Sequence, residues 1–183
     1  MTLWFISDTH FGHANILTFK HEDGTLLRPG FVNVAEMDEF MIHKWNTTVK
    51  PADHVYHLGD VAMKKENLQT VKKLNGHKRL IMGNHDIYHV KDYMEVGFEK
   101  IMAHRRFADM VFTHFPVHPR SIGGKANVHG HTHSNWTPDP VVGPDREQKV
   151  RILPYINVSV EMINYTPVSL GWIEEEVRRL SAD

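Results

Sequence analysis

The 183-residue chain contains no cysteine. This absence excludes disulfide bonds, thiolate catalysis and thiolate-bound metals, so any metal site must use nitrogen and oxygen ligands. The sequence also lacks a run of about 18 consecutive apolar residues, the length that a membrane-spanning helix needs. Its N-terminus shows no basic segment followed by a long apolar stretch, the pattern of a secretory leader. We therefore expect a cytoplasmic protein without a membrane partner.

Positive and negative charges nearly cancel. The chain has 21 Lys and Arg residues and 22 Asp and Glu residues, for a formal net charge of -1. Such a balance creates no global field that would collect polyanions, so tight nonspecific binding of nucleic acid is not predicted. With 41% hydrophobic and 23% charged residues, the composition is that of one soluble globular domain covering residues 1–183.

Histidine is the residue type present in excess. Fifteen histidines are scattered between His10 and His133, so a fused tag does not explain them. Imidazole is the commonest metal ligand in proteins and titrates closest to neutral pH. The surplus therefore indicates metal ligands or proton carriers.

Five apolar segments are each followed at once by residues that can bind metal. The segments are LWFIS, HVYHL, RLIM, DMVF and ANV. The polar residues that follow them include Asp8 and His10, Asp60, Asn84 to Asp86, His114, and His129 to His133. The near-continuous apolar character of the first and third segments predicts strands buried on both faces. The carboxyl ends of such strands would gather the polar residues along one edge of a sheet.

Helices are predicted between and after these segments. Asn33 and Glu36 are spaced as an N-cap and its capping partner for a helix near residues 34–47. A second helix is predicted to end at Asn75 and Gly76. A third is predicted at the C-terminal end, where apolar residues recur at helical spacing: Leu170, Ile173, Val177 and Leu180.

The remaining segments predict a hairpin and a long loop. EKIMAHRRF and DMVFTH are two extended segments joined near Ala108, which is typical of a hairpin. Residues 134–149 hold three prolines and little periodicity, so they are predicted to form a surface loop. A loop of this length is either a functional lid or a mobile segment.

Seven side chains after the apolar segments are candidate metal ligands: Asp8, His10, Asp60, Asn84, His114, His131 and His133. Carboxylate, amide and imidazole donors suit Mn²⁺, Fe or Zn²⁺. Seven donors exceed what one ion needs, so we infer two divalent ions with Asp60 bridging them. Two ions roughly 3.5 to 4 Å apart can activate a hydroxide and clamp the phosphate ester that it attacks.

The same motifs resemble a known family. DTH at residues 8–10, GD at 59–60, GNHD at 83–86, a lone His114 and GHTH at 130–133 are similar, in order and spacing, to the five signature blocks of the calcineurin-like metallophosphoesterase superfamily. The stretch ISDTHFGHANI and the short length resemble a subgroup of small bacterial and phage-type members. The resemblance implies an α/β fold, a four-layer αββα sandwich with mixed central sheets, and a dinuclear metal centre.

The resemblance also assigns roles to individual residues. One ion is expected to bind Asp8, His10, Asp60 and His133. The other is expected to bind Asp60, Asn84, His114 and His131. Mn²⁺ is preferred, with Fe, Zn²⁺ and Ni²⁺ as alternatives. His85 is expected to face the phosphate, where it stabilises charge or protonates the leaving oxygen, and Asp86 is expected to orient its imidazole through a hydrogen bond.

Other polar residues are candidate substrate contacts: Asn84, His13, Arg28, His118 and Arg120. A guanidinium suits phosphate geometry, although many arginines and histidines are simply solvated at the surface. His129 has no counterpart that the chemistry requires, so it is expected to pack or bond locally at the end of its strand.

The function predicted from these residues is hydrolysis of phosphate esters by in-line attack of a metal-bridging hydroxide. Phosphodiesters are favoured over monoesters because the chain has no room for a large cap domain that would enclose a small substrate. The substrate could be a nucleotide or a nucleic acid. The alternatives are a phosphomonoesterase or nucleotidase, and a noncatalytic metal-binding scaffold with the same fold.

Overall fold

The computed structural model describes residues 1–144 and 150–182. Within these ranges the strands are β1 (Leu3–Ile6), β2 (His54–His57), β3 (His77–Ile81), β4 (Phe98–Met102), β5 (Arg105–Phe107), β6 (Met110–Phe112), β7 (Ala126–His129), β8 (Val141–Pro144), β9 (Val150–Leu153), β10 (Tyr155–Asn157) and β11 (Val168–Ser169). The helices are α1 (Val34–Thr48), α2 (Val90–Glu95), α3 (Pro119–Ile122) and α4 (Leu170–Leu180), with 3₁₀ segments at Ala14–Thr18 and Lys65–Lys73. Among the described helices, none has the length and apolar character needed to cross a membrane.

The strands form two larger sheets and one small one. The first sheet has the order β11-β1-β2-β3-β4, with β1 to β4 parallel and β11 antiparallel. The second has the order β10-β7-β6-β5, with β5 antiparallel to its neighbour. Strands β8 and β9 form an antiparallel pair. The predicted mixed central sheets are therefore confirmed.

Aromatic side chains fill the space between the two larger sheets. Phe5 and Tyr56 project from the first sheet and stack with Phe107 and Phe112 of the second. The ring centroids of Phe5 and Phe112 lie 4.8 Å apart. Offset ring pairs at this distance stabilise a core beyond the burial of their area. This cluster joins the two sheets face to face.

Helices and a hairpin cover the outer faces of the sheets. Side chains alternate along a strand, so His57 points away from the aromatic core, and its ring stacks on Trp45 of α1 at 6.5 Å. The outer face of the second sheet carries a smaller apolar cluster that includes Val111, Ile122 of α3 and Leu153 of β9. The predicted αββα layering is confirmed, with the antiparallel β8–β9 pair added to one outer layer.

The predicted helices are present with one change of type. Helix α1 begins after Asn33, whose side chain accepts a hydrogen bond from the backbone N–H of Glu36 at 3.0 Å. The Glu36 carboxylate accepts from the backbone N–H of Val32 at 2.8 Å. The second predicted helix is the 3₁₀ segment Lys65–Lys73. The C-terminal helix is α4, as predicted.

Two predictions need correction. The segment EKIMAHRRF is divided between the two larger sheets, because β4 pairs with β3 and β5 pairs with β6. The predicted hairpin is therefore limited to β5 and β6. Its turn contains Ala108 and Asp109, at φ +50° and +58°. The prediction of an irregular loop at residues 134–149 is wrong at Val141–Pro144, which pairs with β9. Residues 145–149 lie outside the described residues.

Candidate metal centre

The candidate ligands follow strands of both larger sheets. Asp8 and His10 follow β1, Asp60 follows β2, Asn84 follows β3, His114 follows β6, and His131 and His133 follow β7. The prediction that one sheet edge gathers them is wrong, because β6 and β7 belong to the second sheet. The two sheets present their carboxyl ends on the same side, and the centre lies between them.

The backbone is left-handed at five candidate ligands: Asp8 (φ +60°), His10 (+47°), Asp60 (+58°), His131 (+68°) and His133 (+50°). Residues with a Cβ rarely adopt this conformation, which costs about 1 to 3 kcal/mol each in sparsely populated regions. Such strain clusters where a site requires it. These five residues lie in the loops after β1, β2 and β7, where the left-handed conformation turns the chain sharply and brings the side chains back towards the centre.

Asp8, His10 and His133 form the group that we call half-site 1. Their donor atoms all lie within 4.8 Å of one another. Asp8 Oδ1 is 3.9 Å from His10 Nε2 and 4.0 Å from His133 Nε2. The half-site is deep, since Asp8 and His10 are buried.

Asp60, Asn84, His114 and His131 form half-site 2. The donor atoms of Asp60, His114 and His131 also lie within 4.8 Å of one another. Asn84 Oδ1 is 3.0 Å from His114 Nε2, so the amide reaches the same point. Asn84 is exposed and His131 is half-buried, which makes this half-site the more accessible of the two.

Asp60 connects the half-sites. Its Oδ2 atom lies 3.6 Å from His10 Nε2 and 3.5 Å from His114 Nε2. Burial raises the pKa of Asp60, but the hydrogen bond with His114, the charge of the His114 imidazole and the backbone N–H of His85 lower it more, so the net pKa is below its usual range. An ionised carboxylate between the two groups of donors is suited to bridge two cations.

The buried polar atoms of half-site 1 fit a cation. Asp8 Oδ1 and both ring nitrogens of His10 are buried without a hydrogen-bond partner among the described residues. Leaving such atoms unsatisfied is costly, and the cost is offset where they bind an ion. Burial lowers the pKa of His10 well below its usual value, which keeps the imidazole in the neutral form that binds metal. The donor types suit divalent Mn, Fe or Zn.

Two candidate ligands are held in one tautomer by partners behind them. His133 Nδ1 donates to Glu161 Oε1 at 2.9 Å, and His114 Nδ1 donates to the backbone oxygen of Leu58 at 2.7 Å. Histidine ligands usually donate their second ring N–H in this way. Each bond leaves Nε2 directed at the centre.

Arg28 lies buried beneath half-site 1 and donates to acceptors of the protein itself. It is 1% exposed, and its Nε atom donates to Glu161 Oε1 at 2.6 Å. The other guanidinium nitrogens donate to the backbone oxygens of Asp8 (2.5 Å) and Thr9 (3.0 Å). The prediction that Arg28 contacts the phosphate is therefore wrong, because protein acceptors occupy its donors.

Glu161 supports the site, although no sequence motif marks it. Its carboxylate is the shared acceptor of His133 and Arg28. It lies outside the five motifs. Its position directly after the apolar stretch YINVSV is the sequence feature that could have indicated a role in the site. Its partners His133 and Arg28 lie 28 and 133 residues away in the chain, so no short sequence pattern connects them.

The Asp86 carboxylate accepts hydrogen bonds from backbone N–H groups rather than from the His85 ring. Its Oδ2 atom accepts from the backbone N–H groups of Asp60 and Gly83, both at 2.8 Å, and Oδ1 accepts from Val61 at 3.1 Å. The prediction that Asp86 orients the imidazole is wrong, because these amides use the carboxylate. Asp86 instead ties the GD loop to the GNHD loop. Gly83 is required in this junction, since a Cβ there would overlap Asp60 Oδ1.

His85 lies on the open side of the centre. Its side chain is 44% exposed, and Nε2 is 4.0 Å from Asp60 Oδ2. Its backbone N–H donates to Asp60 Oδ1 at 2.9 Å. The ring is thus placed between the centre and solvent, where it can reach a bound ester.

The remaining predicted contacts are spread around the site. The His13 ring lies 5.6 Å from the His10 ring, at the mouth. His118 caps α3, where its Nδ1 accepts from the backbone N–H of Arg120 at 3.3 Å. His13 is half-buried and His118 is exposed, and their contact with substrate stays a prediction. His129 is buried and bonds the Gly130 oxygen through Nδ1 at 2.8 Å, which confirms its local role.

Comparison with known proteins supports this arrangement. The chain matches the calcineurin-like phosphoesterase family over residues 1–169. It is 35% identical over 186 residues to an uncharacterized protein of Methanocaldococcus jannaschii, covering 97% of this chain and 92% of that protein. It is 28% identical over 167 residues to the Gene 66 protein of Mycobacterium phage L5, covering 72% of this chain and 77% of that protein.

A solved structure is similar over nearly the whole chain. It is a protein of unknown function from Aquifex aeolicus, with a TM-score of 0.66 and 27% identity, covering 96% of this chain and 98% of that one. Motifs, layered sheets and paired half-sites all agree with the family match over residues 1–169. The chain therefore belongs to the calcineurin-like phosphoesterase family.

Proposed function

We propose that the protein is a dinuclear metal-dependent phosphoric ester hydrolase that acts on phosphodiesters. The observation that carries this proposal is the pair of half-sites, each with three His or Asp donors within 4.8 Å of one another. Asp60 lies between the half-sites at 3.6 and 3.5 Å from one imidazole of each. Two ions, with Mn²⁺ preferred, would supply water activation and neutralisation of the phosphate charge.

The reaction is a hydrolysis with in-line displacement at phosphorus. The oxygen of water forms a bond to phosphorus, one ester P–O bond breaks, and the leaving oxygen takes a proton. His85 is the residue suited to supply that proton or a hydrogen bond, because its exposed ring lies beside Asp60 on the open side of the centre. The bond between its backbone N–H and Asp60 Oδ1 fixes the loop that carries it.

Other side chains keep the donors in place during turnover. Glu161 and the Leu58 carbonyl hold His133 and His114 with Nε2 directed inwards. Asp86 holds the two loops that carry Asp60 and His85. Preorganised donors of this kind reduce the reorganisation that the transition state requires.

Diesters are favoured because the centre is open. Asn84 and His85 are exposed, and among the described residues no separate domain covers them. A substrate with an organic group on each side of the phosphate can therefore reach the centre. A noncatalytic scaffold is the weaker alternative, because all seven candidate ligands and His85 are present.

The test is a metal-dependent assay with paired substrates. The protein is stripped with a chelator, reloaded with Mn²⁺, and assayed with bis(p-nitrophenyl) phosphate and p-nitrophenyl phosphate. We expect metal-dependent hydrolysis with the higher kcat/KM on the diester. Absence of hydrolysis of both esters, and of cyclic nucleotides and dinucleotides, in protein that retains two ions would reject the proposal in favour of the scaffold.

A further inference from the structure

Two solvent-exposed aromatic rings lie at the candidate metal centre. Phe19 is 47% exposed and Phe115 is 46% exposed. Single exposed apolar residues are common on protein surfaces, so exposure alone does not indicate a binding site. The two phenylalanines are distinguished by their neighbours, since each ring contacts a histidine of the site or its mouth.

Phe115 lies beside half-site 2. Its ring centroid is 4.3 Å from that of His131 and 4.9 Å from that of His114. Phe115 directly follows His114 in the chain, so the loop that positions the ligand also positions the ring. A planar group bound at half-site 2 would meet this ring.

Phe19 lies on the side of half-site 1. Its ring packs edge to face with His13 at 5.5 Å, and the His13 ring lies 5.6 Å from that of His10. His13 Nδ1 is buried without a hydrogen-bond partner among the described residues. The mouth on this side therefore holds an exposed ring and an unused polar atom next to each other.

The two rings are connected through the bridging carboxylate. His10 Nε2 and His114 Nε2 lie 3.6 and 3.5 Å from the same Asp60 oxygen. From Asp60, one series of neighbouring rings passes through His10 and His13 to Phe19. The other passes through His114 to Phe115. One exposed aromatic ring therefore adjoins each half-site, and Asp60 lies between the two series.

A cleft next to Phe19 offers room for an organic group. It has a volume of about 680 Å³ and is lined by Lys20, His21, Glu22, Asp23, Ser134 and Asn135. Lys20 follows Phe19 and Ser134 follows His133, so the cleft adjoins half-site 1. Ligand sites in proteins are commonly about 300 to 1,000 Å³, so this space is sufficient for a nucleoside.

We propose that Phe19 and Phe115 are specificity-determining residues that stack against planar groups on the two sides of the phosphodiester. The substrate is then a dinucleotide-sized diester with a base on each arm. Stacking on an aromatic ring requires only a π-face and tolerates any base. The net charge of -1 gives no general attraction for a long polyanion, so recognition of two bases fits the molecule better than recognition of a long backbone. This inference rests on the proposed function.

Binding tests the inference apart from turnover. The probe is a dinucleotide in which a methylene group replaces the scissile ester oxygen, titrated calorimetrically into Mn²⁺-loaded protein. We expect Phe19→Ala and Phe115→Ala each to weaken its binding about 10-fold, and the Tyr variants to bind like wild type. Binding of inorganic phosphate should not change in either Ala variant. Trp172→Ala, an exposed aromatic on α4, is the matched control and should bind like wild type.

Turnover provides the second measurement. Wild type should have a kcat/KM for dithymidine phosphate about 10-fold above that for thymidine methyl phosphate, which has one base. The double Ala variant should lose this preference. Phe19→Leu and Phe115→Leu keep apolar bulk without an aromatic face, so they replace any Ala variant whose circular dichroism shows a folding defect.

The outcomes separate this inference from the proposed function. Hydrolysis of diesters with no effect of either phenylalanine on dinucleotide affinity overturns the inference alone. Dinucleotide binding that depends on both rings, without hydrolysis, supports the inference and rejects the enzymatic proposal. A 20-nucleotide single strand that binds far more tightly than the dinucleotide probe overturns the commitment to a dinucleotide-sized substrate.

Discussion

The two half-sites differ in what lies behind their ligands. In half-site 1 the second nitrogen of His133 is bonded to the Glu161 carboxylate, which also pairs with the buried Arg28. In half-site 2 the second nitrogen of His114 is bonded to a backbone carbonyl, that of Leu58. A carboxylate therefore supports His133 in half-site 1, and a main-chain carbonyl supports His114 in half-site 2.

This difference predicts unequal metal affinity. A carboxylate bonded to a histidine ligand raises the basicity of the ligand and fixes its ring. Both half-sites have two buried ligands and one half-buried ligand, but half-site 2 also includes the exposed Asn84. We expect half-site 1 to bind its ion more tightly, and half-site 2 to exchange its ion and face the substrate.

Removal of the shared ligand should have the largest effect. Asp60→Ala takes away a carboxylate that lies near an imidazole of each half-site. We expect loss of both ions by elemental analysis and hydrolysis at background level. His43→Ala, which replaces an exposed histidine on α1, should keep both ions. Retention of one tightly bound ion in Asp60→Ala would show that Asp60 does not bridge.

His85→Ala should separate chemistry from metal binding. His85 lies 4.0 Å from Asp60 through Nε2 and is 44% exposed, so its removal leaves both half-sites complete. Positioned acid–base groups contribute about 10²- to 10⁴-fold, and we expect kcat to fall within that range with metal content near wild type. Loss of metal in this variant would make His85 a ligand and contradict its assigned place.

Glu161→Gln should weaken half-site 1 alone. The amide keeps the volume of the side chain but removes the charge that supports His133 and pairs with Arg28. Partners of this kind contribute about 10- to 100-fold in metal affinity. A Mn²⁺ titration should show the tighter step weakened by that factor and the weaker step unchanged. Equal weakening of both steps would remove the distinction between the half-sites.

The smallest expected effect concerns His57, which joins the loops beneath the two half-sites. Its Nδ1 accepts from the Gly59 N–H at 3.2 Å, and Nε2 lies 2.9 Å from Thr9 Oγ1. Burial lowers the pKa of His57 from its ordinary 6.5 to about 3. Between these values the unfolded chain binds a proton that the folded chain does not, so the free energy of unfolding falls as the pH falls.

The magnitude can be checked by denaturant unfolding of the metal-free protein. The titration of His57 should lower the free energy of unfolding by about 1.3 kcal/mol between pH 7 and pH 5.5. His57→Gln should show a flatter dependence over that interval, although it is less stable at pH 7. An unchanged slope in the variant would mean that His57 is not the titrating group.

The parts of the site that are formed by residues close together in the chain could be predicted from the sequence. The turns after β1, β2, β3, β6 and β7 carry their ligands within a few residues of an apolar strand, so each motif is visible in a short window. The capped helix α1 was predictable for the same reason, because Asn33 and Glu36 are neighbours along the chain.

The non-local part could not be predicted. The apolar segments before Asn84 and His114 have the same pattern, yet β3 and β6 pair in different sheets. The bond between Arg28 and Glu161 joins residues 133 positions apart. Asp86 has the residue type to orient an imidazole, and only the fold shows that three backbone amides occupy it. In these three cases the outcome depends on strand pairing and side-chain burial, which no short stretch of sequence shows.

A titration of the metal-free wild-type protein with Mn²⁺ tests the central claim most directly. Two unequal half-sites that share Asp60 should bind two ions per chain in two steps of different affinity, followed by calorimetry and by the electron paramagnetic resonance signal of coupled Mn²⁺ ions. Binding of one ion per chain, or of two ions that give no coupled signal, would contradict the account.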